Sequence, residues 1–319
     1  MSSILEGPRY ATLTGLAVGD ALGMPFEMKP SDSRLLREWE GDFQDSHSPI
    51  TTDLKAGQWT DDTKMALALS RSLLAEETYS PAGAARGYLE WFNSKDWRGI
   101  GLTTNRALTR LRTGLPWTQS GIEGSEGNGT AMRVAPLGLL FRTNLQAAAE
   151  MAAIDAEITH RSVEARYGSI AIAVAVALLV QGTVAKEDVV LKVLEWVGES
   201  KLQKQLQRAQ FFLGAPRESL LKRLIELGTS PHVVRTVPAA LYAFAATNSF
   251  AEAVELAIRA GGDTDTTGAI TGALAGTWYG IEQVAPYADK LEAFNYLRYL
   301  EICLHNSAKE LAPVYEEEG

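Results

Sequence analysis

Little in this sequence is set aside for cross-linking or for entering a membrane. A single cysteine, Cys303, excludes a disulfide within the chain and suits a reducing compartment. It stands in an apolar helical context with nothing beside it to lower its pKa, so it is read as core rather than chemistry. The most apolar run, 170–180, is alanine-rich and too short to span a bilayer, and it reads as a buried helix. No basic segment leads into an apolar one at the start of the chain, where Glu6 and Pro8 intervene. No secretory signal is therefore expected, and a cytoplasmic location is. Positive charge is in deficit as well: a net charge of −9 argues against a sequence-independent grip on nucleic acid. Neither unmodified nucleic acid nor a membrane is expected as a partner, and a monomer is expected. Strand-like alternation is missing beyond short stretches, as are low-complexity linkers and any repeat of roughly 20–50 residues.

What remains is helical patterning in a chain that is 46% hydrophobic and 22% charged, the balance of a soluble globular protein able to bury a core. The spacing predicts helices over 10–24, 60–77, 81–92, 103–112 and 130–141, the last carrying Pro136 as a possible kink. Further helices are expected over 144–159, 163–181, 186–200, 201–212, 218–227, 237–247, 250–260, 264–279 and 288–304, with an acidic tail from Val314. The expectation is all-α: a single compact orthogonal multi-helix bundle spanning 1–319. Two helices carry glycine at every fourth residue, Gly15, Gly19 and Gly23 in one and Gly268, Gly272 and Gly276 in the other. Such stripes cost helix propensity and let another backbone approach closely.

Two short stretches pack Thr and Asp into the mouth of a helix: Thr60-Asp61-Asp62-Thr63, and Asp263-Thr264-Asp265-Thr266 after the Gly261-Gly262 stop. The structural reading is capping, since Thr and Asp are common at N-caps and in first turns. If the two mouths met without a cation, however, four carboxylates would repel in a partly buried site. Two divalent cations would balance them. The donors are all oxygen, including the Thr60 and Thr266 hydroxyls, which selects Mg²⁺ or Mn²⁺ over Ca²⁺ and gives no encouragement to Zn²⁺. The DDxxD signature of isoprenoid synthases, another helical magnesium family, lacks its third acid in Asp61-Asp62-Thr63-Lys64-Met65. A glycine-rich loop over 121–129 (GIEGSEGNG) ahead of an expected helix N-terminus could offer backbone N–H groups to a phosphate.

Five stretches, GLAVGDALGMPFE, GQWTDDTKMALALS, GNGTAMRVAPLGLL, ITHRS and AGGDTDTTGAITGALAG, together resemble the ADP-ribosylglycohydrolase family and run in its order from Gly15 to Gly276. The resemblance implies a central cleft with two Mg²⁺ or Mn²⁺ ions held by Thr60, Asp61, Asp62, Asp263, Asp265 and Thr266, Asp265 bridging them. It implies a catalytic role for Glu27, Asp62 and Asp265, with Glu27 on a loop able to close over the metals. Ser125, Gly127, Asn128 and Gly129 would belong to the ADP-ribose pocket, and His160 would line it. The implied reaction is metal-dependent hydrolysis of the bond between ADP-ribose and a modified protein side chain, arginine first. Serine-linked, O-acetyl- and nucleic-acid-linked ADP-ribose stay open, as does a non-catalytic ADP-ribose-binding relative. One departure stands out: many members carry Asp where this chain has Gly99, which leaves linkage preference open.

Overall fold

The computed structural model describes residues 7–214 and 216–308; the tail from Val314 lies outside the described residues. Its centre is set by the two glycine stripes. The helix Thr12–Gly23 is buried along its whole length and runs antiparallel against Thr264–Tyr279. A Cβ on Gly19 would lie 2.0 Å from the Gly268 carbonyl oxygen, and one on Gly272 would lie 2.1 Å from that of Gly15. Gly23 meets the Thr264 carbonyl, and Gly276 that of Ala11, in the same manner. The close approach read from each stripe is therefore real, and each stripe is the other's partner. Polar groups fasten both ends of the contact. The Ala11 N–H donates to the Gly276 carbonyl at 2.9 Å, and the Thr264 hydroxyl donates to that of Gly23 at 2.8 Å. Glycine in a helix interior costs about 1 kcal/mol against alanine, so six of them are retained only because the packing more than offsets that cost.

The other helices wrap this pair, giving an all-α bundle with Asp61–Glu76, Val163–Gln181, Val233–Ala245 and Phe250–Arg259 packed against it. Val163–Gln181 is, at 19 residues, long and apolar enough to cross a bilayer by length and composition. It is instead mostly buried inside the fold, among its neighbours in the core. Ser249 caps Phe250–Arg259 by accepting the Glu252 N–H, while the Glu252 carboxylate reaches back to the Asn248 N–H rather than to Ser249.

Several boundaries differ from expectation. The helix expected over 130–141 forms only at Ala135–Leu140, with Pro136 in its first turn. Proline has no N–H to give and crowds the preceding turn, so the helix starts around it instead of kinking through it. The segment 186–200 breaks into a 3₁₀ turn at Lys186–Asp188 and a short helix at Val189–Leu194. Ser200 opens the next helix by accepting the Gln203 N–H, which ends any continuous helix before it. The last helix is Phe294–Ser307, and that expected from 237 begins at Val233, after His232.

Sequence periodicity also missed two very short strand pairs. Lys29–Pro30 pairs antiparallel with Gly261–Gly262, and Ile122–Glu123 pairs parallel with His160–Arg161. Two residues give no period to detect, yet each pair ties a loop to the place where chemistry is expected. Gly261 and Gly262 have φ of 72° and 76°, and a Cβ on either would fall within 2.6 Å of backbone atoms of Ser31, Lys29 or Thr229. The double glycine is thus a strand partner as well as a helix stop.

Gly19→Ala is expected to lower stability by about 3 kcal/mol or more, since backbone rather than a flexible side chain stands in the way. Urea unfolding checks this. A midpoint equal to that of the wild type would mean that the two helices are not held as closely as described.

Candidate metal centre

The glycine-packed pair brings the C-terminal end of one helix beside the N-terminal end of the other. Glu27 follows the first, and Asp263 and Asp265 open the second. The Lys29–Gly262 pairing then holds the Glu27 segment against the Asp263 mouth. One carboxylate oxygen from each of Glu27, Asp263 and Asp265 lies within 4.8 Å of the others.

The second mouth arrives through a residue that motif reading did not single out. Asp20, fully buried in the Thr12–Gly23 helix, accepts the Thr60 N–H at 2.9 Å and the Thr63 N–H and hydroxyl at 3.1 and 2.6 Å. It caps the helix Asp61–Glu76 from a different part of the chain, and Thr60 at the N-cap makes no side-chain cap bond. The available signal was an acid inside a glycine- and alanine-rich buried helix, which must have donors to satisfy it. With the cap supplied from outside, the Asp61 and Asp62 side chains are left to face the cleft. The Thr60 hydroxyl lies 2.9 Å from Asp20 Oδ1 and 3.2 Å from Asp62 Oδ2. Thr60 is wholly buried beneath the cleft and does not line it.

Glu27, Asp61, Asp62, Asp263, Asp265 and Thr266 all line one cleft of about 410 Å³. The two mouths face each other, the Thr266 hydroxyl standing 3.5 Å from Asp62 Oδ2 across 204 residues of sequence. Burial pushes all of these carboxylates toward the protonated form. Glu27 rises to about 7, by burial first and then by the charge of Asp263. Burial raises Asp61, Asp62 and Asp265 well above the ordinary value, with neighbouring carboxylates adding to it. Asp20 rises to about 6 despite its four donors. No lysine or arginine lines the cleft among the described residues, so nothing in the lining neutralises these acids. Asp62 Oδ1 is buried with no hydrogen-bond partner. A dense set of hard oxygen donors with an orphaned carboxylate oxygen fits a divalent cation bound there.

Gly127, Asn128, Gly129 and His160 line the same cleft, whereas Ser125 does not. The Ser125 hydroxyl pairs with that of Thr103 at 2.9 Å, and its carbonyl accepts from Ser162. Asn128 donates its amide to the Asp263 carboxylate and, at 2.9 Å, to the Thr236 hydroxyl, so it holds a carboxylate in place from the loop side. The expectation that this loop precedes a helix N-terminus is corrected by Pro136: turns occupy 129–133, and the helix begins at Ala135. Gly127 and Gly129 are glycine for a local reason, since a Cβ on either would fall within 3.0 Å of the His160 ring. Burial and the nearby Arg133 guanidinium push His160 down to about 3, so the ring is neutral. Arg133 donates to the Thr159 hydroxyl at 2.8 Å, and that hydroxyl lies 2.9 Å from His160 Nδ1. The Thr159 hydroxyl thus bridges Arg133 and His160 Nδ1, and His160 Nε2 lies on the side of Gly127 and Gly129. Gly99, with φ of 87°, sits so that a Cβ would lie 3.4 Å from Asp61 Oδ1.

Residues 8–318 match the family described as ADP-ribosylglycohydrolase. The ADP-ribosylarginine hydrolase Tri1 of Pseudomonas putida (strain GB-1) is 30% identical over 281 residues, covering 86% of this chain and 71% of its own length. The ADP-ribosylhydrolase ARH3 of Bos taurus is 31% identical over 310 residues, covering 85% of each chain. A solved structure described as an ADP-ribosylglycohydrolase-related protein complex superposes with a TM-score of 0.69 at 30% identity, covering 93% of this chain and 96% of its own.

Two outcomes are expected. Folded-state values of about 6 for Asp20 and about 7 for Glu27 lie above the ordinary 3.8 and 4.5, so the fold binds extra protons between roughly pH 4 and 7. The metal-free protein therefore loses stability as pH rises through that window. In thermal melts with EDTA it melts higher at about pH 5.5 than at about pH 7.5, and Mg²⁺ raises the midpoint more at the higher pH. Asp20→Ala leaves buried donors of Thr60 and Thr63 unsatisfied and is expected to cost about 3 kcal/mol or more in urea unfolding, together with weaker Mg²⁺ binding by calorimetry.

Proposed function

We infer that the chain, which belongs to the ADP-ribosylglycohydrolase family, is a metal-dependent hydrolase that releases ADP-ribose from modified protein side chains, arginine foremost. The observation that carries this reading is the convergence of five carboxylates on one cleft, one of them with an orphaned oxygen. Two Mg²⁺ or Mn²⁺ ions are the proposed occupants, held by Asp61, Asp62, Asp263, Asp265 and Thr266. Bound there, they would supply Lewis acidity and a grip on the hydroxyls of the ribose to be released.

The chain's own residues account for the rest. In the proposed reaction the bond from the anomeric carbon to the guanidine nitrogen breaks. A water oxygen bonds to that carbon, and one proton of the water ends on the leaving nitrogen. Glu27, held by the Ser48 hydroxyl at 3.0 Å, is the group assigned to carry that proton. Asn128 keeps Asp263 in register, which leaves the loop's backbone and the His160 ring to orient the rest of the ADP-ribose. The name of the Pseudomonas relative supports arginine as the linkage.

Release of free ADP-ribose from arginine-, serine- and nucleotide-linked substrates and from O-acetyl-ADP-ribose, with and without EDTA, tests the reading. Turnover of the arginine-linked substrate is expected to vanish with EDTA and to fall by about 100-fold or more in Asp62→Ala and Asp265→Ala. Wild-type turnover in both variants with Mg²⁺ present would sink the mechanism.

A further inference from the structure

The floor of the cleft is acidic, but part of its rim is not. Met28 and Ile50 line it and are each 51% exposed, an unusual setting for large aliphatic side chains beside a cluster of carboxylates. They are not loosely placed. Met28 has φ of 64°, a conformation that non-glycine residues avoid, and its N–H donates to the Gly262 carbonyl at 2.7 Å. Ile50 is fixed through Ser48, whose hydroxyl accepts the Ile50 N–H at 3.1 Å while donating to Glu27 at 3.0 Å. One hydroxyl thus joins the Glu27 carboxylate to Ile50, while Met28 follows Glu27 directly in the chain. No Phe, Tyr or Trp lines the cleft among the described residues, so the wall is not built for stacking a ring.

We propose that Met28 and Ile50 form the leaving-group wall of the cleft and determine specificity by receiving the aliphatic stem of the modified side chain. The inference rests on the hydrolase reading given above. An arginine attached through its guanidine presents a cationic head followed by methylenes. The head meets Glu27, and the methylenes run outward past the wall. The Glu27 carboxylate and the aliphatic surface beyond it match that sequence of groups. A leaving group with a short polar stem leaves the wall exposed to water and gains nothing from it.

The test uses ADP-ribosylated alkylguanidines of increasing length, from methyl to butyl, with kcat/KM measured for the full-length wild type and for Met28→Ser and Ile50→Ser. Both positions are exposed, so the variants are expected to fold, and melting curves check this. The readout is the dependence on chain length within each protein, which is independent of any overall loss of rate. The wild type is expected to gain about two- to four-fold per methylene, and each variant to lose about half of that logarithmic slope. A flat wild-type series in which every member is still hydrolysed overturns the wall and leaves the arginine reading in place. Slopes in both variants equal to that of the wild type do the same. No release from any guanidine-linked member overturns the arginine reading and the wall with it.

Discussion

The contact on which everything else depends is backbone against backbone, where the Gly15, Gly19 and Gly23 stripe meets Gly276, Gly272 and Gly268. Side chains cannot intervene there, so the distance and register between the two helices are set by main-chain atoms. That rigidity matters because the acidic groups hang from the ends of these helices or from residues joined to them. Asp20 lies on one, Asp265 on the other, and Glu27 and Asp263 lie just outside them. A shift of one helical turn would separate Glu27 from Asp263 and take Asp20 away from the Thr60–Thr63 donors it satisfies. Close packing thus converts a stripe of small residues, unremarkable alone, into the ruler of the site.

The fold also pays an electrostatic cost to keep that arrangement. Six carboxylates, counting Asp20, are buried within or just beneath one cleft; burial raises all of them, and neighbouring charges add to this at Glu27, Asp61, Asp62 and Asp265. Asp20 is relieved by four donors and serves as a cap. Asp263 has Asn128, and Glu27 has Ser48. Asp62 keeps an oxygen with no partner at all. The division is informative: some acids are satisfied as structure, and others are held short of satisfaction where a cation would complete them. The Arg133–Asp155 pair, buried and joined to Tyr88 and Thr159, is the contrasting case of a buried acid with both oxygens paired.

Much of this was legible before any fold was known. Helical periodicity, the glycine stripes and the two Thr/Asp mouths are local features, and residue type alone reports their donor chemistry. Asp20 was legible only in part, as an acid in a buried stripe whose partners lie forty residues away. The short strand pairs at Lys29–Gly262 and Ile122–His160 were not legible, since two paired residues leave no period. Helix lengths failed at Pro136, where a single residue decides the start of a segment, and over 186–200, where a 3₁₀ turn and a helix ending at Leu194 replace one continuous helix.

By itself, then, the sequence determined that the protein is helical, which residues at the two helix mouths carry hard oxygen donors, and that two backbones must come close, because each follows from side-chain size, charge and spacing along the chain. The tertiary structure decided ownership. It gave the cap of the Asp61 helix to Asp20 and drew the Thr60 hydroxyl beneath the cleft. It turned Asn128 toward Asp263 and brought Ile50, through Ser48, beside Glu27 and Met28. A hydrogen bond or an apolar wall needs two partners at contact distance, and here the partners come from segments that only the packing of the helices brings together.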